Sequence, residues 1–382
     1  MDSKELLAYR IQILDDAIRM KKKPDRTPHI SNYGWWQFMD AGYKMSEAVG
    51  NYDIIEDCFI KFFEKYTFDI SNGIGILSTI PIVQKMGRSY KIDDEQGGYS
   101  VEDITCMNQD EYDALLENYW KFLWEVMLPR KYDRFNSNLS ISELEEVFNL
   151  TNRMQVAIGR LTSQMSDKLG MPKPVTYNMM LSFETLFQFY RGIKGLSSDL
   201  RKCPDKVQAA CEMMDAMTIN PMIENMKNMP DSDAIDVGVP LLAHTILNPK
   251  QWERFYWPKL KEIIDAVVAA DKTIYLFAEG STKRFWSYFK DIPAGHVAMH
   301  VEQDDVFELR QALPNICIVG GMPTSLLGRG TPDECVAHTK RLIDELGANG
   351  GFILSQDKMV SYRNDTKPEN LKAVCDFVNN YR

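Results

Sequence analysis

A carboxylate and an imidazole that could act together lie about one βα unit apart in the second half of the chain. Glu279 directly follows the short apolar run 273–278, and His300 directly follows the apolar run 296–299. A carboxylate oxygen and an imidazole nitrogen at adjacent strand ends could share a zinc ion. They could equally form a hydrogen-bonded pair that only holds two loops, and the spacing alone leaves both interpretations open.

A catalytic zinc ion usually has three protein ligands, so this pair needs a third. Glu302, His244 and Glu262 are candidates, although Glu262 lies in a predicted helix where a solvated side chain is expected. Asp304 and Glu302 follow the same apolar run as His300. Either could support a ligand or supply a proton.

A second group of residues could bind a flat apolar substrate, because aromatic rings line many small-molecule pockets. Its members are Tyr33, Trp35, Trp36, Tyr177 and Tyr190. Core packing is the alternative role for each of them.

The elements that must position these residues follow an alternating pattern. From about residue 230, β-rich apolar runs at 234–240, 273–278, 296–301, 315–320 and 351–354 alternate with helical patterns, as in βα units of a parallel sheet. Earlier strands are suggested at 29–32 and 68–77. In a (β/α)8 barrel the carboxyl ends of the strands form the active site, which predicts that Glu279 and His300 lie close together.

No linker divides the chain, so we expect one domain over residues 1–382 with a helical extension over about residues 1–25.

Composition limits the classes of function that the protein can have. The formal net charge of −10 opposes binding to nucleic acid and to anionic lipids. The sequence has no apolar stretch long enough to span a membrane and no signal-peptide pattern, so a cytoplasmic location is expected. Seven cysteines without a CxxC pair are expected to be reduced thiols.

Short motifs occur in a fixed order from about residue 170 to the end of the chain. They cover residues 182–186, 190–192, 198–201, 204–206, 255–258, 277–280, 300–305, 320–323, 326–327, 330–332, 350–354 and 367–370. In this order they resemble the uroporphyrinogen-decarboxylase-like superfamily. The resemblance implies an α/β fold, a (β/α)8 TIM barrel.

Within that superfamily the chain is more similar to the methyltransferases than to the decarboxylases. The decarboxylases have an arginine-rich N-terminal segment, and here that region reads HISNYGWW at 29–36. The His-x-Cys zinc pair of the methylcobamide:coenzyme M methyltransferases is replaced by Phe277-Ala278-Glu279. The closer resemblance is to the corrinoid-dependent zinc methyltransferases of anaerobic O-demethylase systems, in which a Glu and a His at this spacing are ligands. Their upstream glutamate falls near Ile264, which cannot bind a metal.

This resemblance implies a specific reaction. A methyl group would pass from a small methylated donor, a methoxylated aromatic compound, to the cob(I)alamin of a partner corrinoid protein. Zinc held by Glu279 and His300 would act as the Lewis acid, with Asp304 as an acid candidate. A decarboxylase with another substrate and a non-catalytic carrier of a corrinoid or tetrapyrrole are the alternatives.

Overall fold

The computed structural model describes residues 1–71, 79–101, 104–136, 140–173 and 175–382. Eight short parallel strands of this part of the chain, here β1 to β8, form the wall of a barrel. They are Ile30–Ser31, Ile70–Ser71, Tyr177–Asn178, Val237–Leu241, Ile274–Ala278, Val297–Val301, Cys317–Met322 and Phe352–Gln356.

The pairing of the strands follows their order in the chain. β3 to β8 form one sheet in which each strand pairs in parallel with the next. β1 pairs in parallel with β2, and a bridge between His29 and Leu354 joins them to β8. This order confirms the predicted (β/α)8 barrel. The predicted strand at 68–77 is observed as β2, and its residues 72–77 lie outside the described residues.

Helices surround the barrel and fill its long connections. The α-helices are Ser3–Arg19, Trp36–Asp40, Met45–Ala48, Tyr52–Lys65, Ile80–Lys85, Tyr112–Glu117, Tyr119–Phe122, Leu128–Lys131, Ile141–Leu169, Ser182–Thr185, Gly192–Lys202, Pro204–Met217, Ile219–Glu224, Pro249–Gln251, Trp257–Ala269, Val306–Ala312, Thr324–Arg329, Pro332–Leu346 and Pro368–Asn380. Leu123–Met127, Leu186–Arg191 and Trp252–Tyr256 are π-helical, and Tyr90–Ile92 pairs with Tyr99–Val101 in an antiparallel hairpin. None of the described helices combines the length and the apolar character needed to cross a membrane.

The two faces of the strands pack into different cores, because side chains alternate along a strand. On β5, Leu276 packs outward among the surrounding helices. Its neighbours Tyr275 and Phe277 point into the barrel, where they join residues such as Ala298 and Val319. The same alternation on β6 directs His300 inward with Ala298.

The N-terminal helix Ser3–Arg19 closes one end of the barrel. Asp2 caps it through a capping box with Glu5. Its buried face, which includes Leu14 and Ile18, packs into the barrel-interior cluster. The predicted helical extension is therefore part of the core, and the opposite end of the barrel carries the carboxyl ends of the strands.

Candidate active site at the carboxyl ends of the strands

Glu279 lies at the carboxyl end of β5, between the ends of the two neighbouring strands. Its backbone N–H donates to the carbonyl oxygen of Leu241, the last residue of β4, at 2.9 Å. On the other side of β5, Ala278 pairs with Val301 of β6. Glu279 and Glu302 are therefore the first residues after the paired ends of these two strands. Two carboxyl groups therefore lie close together at the mouth of the barrel.

This position raises the pKa of the Glu279 carboxyl group. Burial, then the Glu302 carboxylate, then the Glu184 carboxylate raise its pKa from the usual 4.5 to about 7. A carboxyl group with a pKa near 7 exists in both its protonated and its ionised form at neutral pH. Such a group can donate or accept a proton in a reaction.

Glu302 is fixed by the loop that follows β5. The Gly280 N–H donates to its Oε2 at 2.5 Å. Gly280 has a φ of +73°, a conformation that favours glycine, and this turn aims its N–H at the carboxylate. The hydrogen bond holds one carboxylate of the pair in place beside Glu279.

Glu184 is a buried carboxyl group that follows β3 and ties two barrel segments together. Its Oε1 accepts from the Leu242 and Ala243 N–H groups at 2.8 Å each and from the Tyr256 hydroxyl at 2.5 Å. Its Oε2 accepts from the Gln188 side-chain amide at 2.9 Å. Burial still raises the pKa of Glu184 despite these donors. Glu184 lies in the short motif at 182–186, and no strand was predicted before it, so the sequence carried no direct signal that its carboxyl group belongs to the site.

His300 lies inside the barrel with both ring nitrogens engaged. Nε2 donates to the Asp357 carbonyl oxygen at 2.9 Å, and Nδ1 accepts from the Tyr275 hydroxyl at 2.9 Å. Burial lowers the pKa of His300 to about 4, so the ring is neutral at physiological pH. The strand register pairs His300 with Phe277 rather than with Glu279. Metal binding by His300 would require one of these two hydrogen bonds to break.

A zinc ion does not fit the side chains as they are arranged. Across the described ranges, no three His, Cys, Asp or Glu side chains come together in a way that could hold a metal. Glu262, a candidate third ligand, is exposed on an outer helix and binds Lys259 at 2.5 Å. The predicted zinc site of Glu279 and His300 therefore has no structural support, and we derive no reaction step through zinc.

Asp304 holds the loop after β5. It accepts from the Thr282 N–H at 2.7 Å and the Thr282 hydroxyl at 2.8 Å, and the Ser281 hydroxyl donates to its other oxygen. Its carboxylate is therefore engaged by the residues that follow Glu279 and Gly280. Such contacts suit a positioning residue, and the predicted acid role of Asp304 stays a prediction.

His244 follows β4, and its imidazole ring is buried. Among the described residues, neither Nδ1 nor Nε2 has a hydrogen-bond partner of ordinary geometry. Burial, then the Arg284 guanidinium, lowers the pKa of His244 to about 4, and the Asp304 carboxylate and the Ser281 backbone oppose this shift. Arg284 itself donates to the His244 carbonyl oxygen at 2.7 Å. Buried polar atoms normally have partners, so His244 is a candidate to contact a polar group of a ligand.

The predicted aromatic residues after β1 form part of a core. Tyr33 and Trp36 both bond to Thr366, through the Tyr33 hydroxyl at 3.2 Å and through Trp36 Nε1 to the carbonyl oxygen at 3.1 Å. The ring of Trp35 lies 5.1 Å from that of Tyr99. All three rings are buried, so only a small part of their surface remains for a substrate.

The other two predicted aromatic residues belong to the third βα unit. Tyr177 lies half-buried on β3. Tyr190 is buried, and its hydroxyl lies 2.9 Å from that of Tyr119. Substrate binding by either residue stays a prediction.

Comparison with known families agrees with this architecture. The family described as uroporphyrinogen decarboxylase (URO-D) matches residues 136–381, nearly two thirds of the chain. The chain belongs to the URO-D family. The curated methylcobamide:CoM methyltransferase MtbA of Methanosarcina mazei is 25% identical to this URO-D chain over 254 residues, covering 64% of the chain and 70% of the relative. A solved structure described as a methyltransferase from Methanosarcina mazei superposes with a TM-score of 0.62 at 15% identity, over 100% of this chain and 99% of that one.

At 15% identity the solved structure supports the fold alone. Evidence for the activity must therefore come from the side chains of the site. The carboxyl groups of Glu184, Glu279, Glu302 and Asp304 surround the ends of β3 to β6 in this URO-D member. Two cations lie beside this region: Arg284 donates to the carbonyl oxygens of His244 and Thr245, and Lys283 bonds Glu308 and also acts on the Asp304 carboxylate. The mouth of the barrel is therefore acidic.

Proposed function

We propose that this URO-D protein is a methyltransferase that works with a corrinoid carried by a partner protein, and that Glu279 protonates the leaving group of the methyl donor. The observation that carries the proposal is the Glu279 carboxyl group at the mouth of the barrel, with a pKa of about 7. The methyltransferase relative supports the reaction class. A methyl ether, such as a methoxylated aromatic compound, is the proposed donor.

The chemistry balances with Glu279 as the acid. The methyl acceptor would be the cob(I)alamin of the partner protein, which when bound would provide the electron pair for the new bond to the methyl carbon. The bond between that carbon and the ether oxygen breaks, and its electron pair stays on the oxygen. The Glu279 carboxyl group donates a proton to this oxygen, which leaves as a neutral hydroxyl, and water then returns a proton to Glu279.

Acid assistance matters because an unprotonated phenolate or alkoxide leaves poorly. In the reaction proposed from the resemblance, zinc would have served that purpose as a Lewis acid. Since the described side chains assemble no zinc site, a protonated carboxyl group is the alternative source of assistance. General acid catalysis typically contributes about 10²–10⁴-fold to a rate.

His244 and the loop after β5 complete the proposed site. The unsatisfied ring nitrogens of His244 are available to a polar substituent of the donor. Asp304, through Thr282 and Ser281, holds the loop that begins at Glu279. We propose that these residues position the donor and the acid.

The acidic mouth gives no support to the decarboxylase alternative. A substrate that carries carboxylates would face Glu279 and Glu302, and like charges at close range repel one another. Of the nearby cations, Arg284 is turned to backbone carbonyl oxygens and Lys283 is paired with Glu308. A donor that is neutral at its ether end avoids this repulsion.

An anaerobic assay tests the proposal. Purified protein is incubated with cob(I)alamin and a panel of methoxylated aromatic compounds, and the visible spectrum reports formation of methylcobalamin. Wild-type protein is expected to methylate the corrinoid with at least one donor, and Glu279→Gln to lose roughly 10²-fold or more in rate. Glu262→Gln, the same change on an exposed outer helix, is the matched control and is expected to retain wild-type activity. Corrinoid binding without methyl transfer from any methyl ether would instead favour the carrier alternative and contradict the proposal.

A further inference from the structure

The turn that follows β4, residues 242–246, is fixed on one side by the Glu184 carboxylate. The N–H groups of Leu242 and Ala243 each donate to Glu184 Oε1 at 2.8 Å. The Tyr256 hydroxyl donates to the same oxygen at 2.5 Å, and Glu184 is fully buried. Hydrogen bonds to a charged acceptor are stronger than those between neutral groups. One buried oxygen atom therefore fixes the start of the turn.

Glu184 and Glu279 are attached to neighbouring residues of the same strand end. The carbonyl oxygen of Leu241, the last residue of β4, accepts from the Glu279 N–H at 2.9 Å. The next residue in the chain, Leu242, donates to Glu184. A shift of the turn would therefore also displace the backbone oxygen that holds Glu279.

The same turn carries His244, whose ring packs against the tyrosine that binds Glu184. The ring centroids of His244 and Tyr256 are 6.4 Å apart, and the Phe285 centroid lies 6.3 Å from that of His244. Arg284 donates to the His244 carbonyl oxygen at 2.7 Å. Tyr256 thus contacts the imidazole of His244 through its ring and the Glu184 carboxylate through its hydroxyl.

The contacts of Glu184 all concern the mouth of the barrel. Its fourth donor is the side-chain amide of Gln188, one turn further along the same helical segment. Within the described ranges no Lys, Arg or His side chain pairs with Glu184, whereas the buried Asp199 is paired with Arg191. Burial raises the pKa of Glu184 against the effect of its four donors, so this position costs stability. A carboxyl group that is buried at such a cost beside an active site is a candidate for function.

We propose that Glu184 is a positioning residue of the active site. Through the turn 242–246 it holds His244 and the Glu279 backbone at the places where the methyl donor meets them. This inference rests on the proposed function, because it takes Glu279 as the acid and His244 as a contact of the donor. A misplacement of about 1 Å can lower a rate by roughly 10²-fold, so loss of this one acceptor is expected to be visible in catalysis.

Amide hydrogen exchange tests the contact without any turnover. In Glu184→Ala the N–H groups of Leu242 and Ala243 lose their acceptor, and their exchange measured by NMR is expected to become faster by roughly tenfold or more. Glu184→Gln keeps an oxygen acceptor at the same place and is expected to retain most of the protection. The imidazole signal of His244, one of five histidines, is expected to shift in the alanine variant and to stay near its wild-type position in the glutamine variant.

Methyl-transfer rates test the consequence for catalysis. The rates are measured at pH 6, one unit below the pKa of Glu279, on protein shown to be folded by circular dichroism. The kcat for methylation of cob(I)alamin by a methyl ether is expected to fall roughly 10²-fold in Glu184→Ala and to stay within about fivefold of wild type in Glu184→Gln.

A matched pair of tyrosine variants separates positioning from packing. Tyr256→Phe removes one donor to Glu184, and Tyr112→Phe removes a hydroxyl that donates to the buried Asp199 carboxylate at 2.9 Å. Both tyrosines are fully buried, so similar losses in melting temperature are expected. Tyr256→Phe is expected to lower kcat roughly tenfold and to move the His244 signal, whereas Tyr112→Phe is expected to change neither.

The outcomes separate this inference from the proposed function. A wild-type protein that transfers no methyl group contradicts the proposed function, and this inference with it. An active wild type whose Glu184→Ala variant is equally active, or keeps the slow exchange of Leu242 and Ala243, overturns the positioning role alone. A Glu184→Gln protein as slow as Glu184→Ala would also overturn it. If Glu184→Ala does not fold, a Tyr256→Phe protein with the kcat of Tyr112→Phe is the result that overturns the role.

Discussion

The carboxyl groups of Glu279 and Glu302 lie side by side because their strands end in register, with Ala278 paired to Val301. One of the two groups, Glu302, is fixed by the Gly280 N–H. The other, Glu279, has its pKa raised to about 7, by burial first and by Glu302 next. The strand register therefore produces a group that can donate a proton at neutral pH.

Removing the neighbouring charge should make Glu279 more acidic. In Glu302→Gln the like charge is lost while burial remains, so the pKa of Glu279 is expected to fall by roughly half a unit to one unit. The alkaline limb of the pH–rate profile for methyl transfer should move to lower pH by the same amount. A profile identical to that of wild type would show that Glu302 does not act on the reacting group, and Glu262→Gln serves as the control.

The raised pKa of Glu279 also predicts a pH dependence of folding. The folded chain keeps a proton on Glu279 between the unfolded pKa of 4.5 and about pH 7, so this carboxyl group costs stability increasingly as the pH rises through that window. Glu279→Gln is therefore expected to be more stable than wild type at pH 8, by about 1–2 kcal/mol after allowing for partial exposure, and to differ little at pH 4.5. Urea unfolding at the two pH values measures the difference. A Glu279→Gln protein that is less stable than wild type by the same amount at pH 4.5 and at pH 8 would contradict a protonated Glu279 in the folded chain.

His300 is expected to be a structural residue of the barrel interior. His300→Ala leaves the Asp357 carbonyl oxygen and the Tyr275 hydroxyl without their partner and opens a cavity, so the free energy of unfolding should fall by about 3 kcal/mol. Tyr275→Phe removes one of these hydrogen bonds and should cost about 1 kcal/mol. Chemical denaturation measures both values. A fully stable His300→Ala protein that has lost its activity would instead assign His300 to the chemistry.

Metal analysis tests the arrangement of the side chains. Because the described residues bring together no three metal-binding side chains, we expect purified protein to hold much less than one zinc ion per chain after dialysis against zinc. Elemental analysis of wild type, Glu279→Gln and His300→Ala makes the comparison. One zinc ion per chain in wild type, absent from both variants, would restore the Lewis-acid mechanism that the resemblance implies.

Much of the barrel could be predicted from the sequence, and the reason lies in the length of the strands. β4 to β8 are five or six residues long, and their apolar runs end in polar residues such as Glu279, Glu302 and Asp357. β1, β2 and β3 have only two residues each, which is too short to show an alternating pattern. β1 and β2 lie within the suggested segments 29–32 and 68–77, and β3 was not predicted.

The candidate site was predicted only in part, because side-chain contacts depend on register and on distant segments. The spacing of Glu279 and His300 suggested a pair, but the register places Glu302 beside Glu279 and turns His300 toward Asp357 and Tyr275. Three of the four donors to Glu184 are distant in sequence and lie after β4 and in a later helical turn. No local pattern around Glu184 reveals them.

The most direct measurement is the dependence of methyl transfer on the leaving group, in wild type and in Glu279→Gln. Phenyl methyl ethers with ring substituents vary the basicity of the departing oxygen, and single-turnover transfer to cob(I)alamin gives each rate. If Glu279 protonates that oxygen, the wild-type rate should depend weakly on its basicity, and the loss in Glu279→Gln should grow as the leaving oxygen becomes more basic. An equal loss for every ether, or no loss at all, would contradict Glu279 as the proton donor.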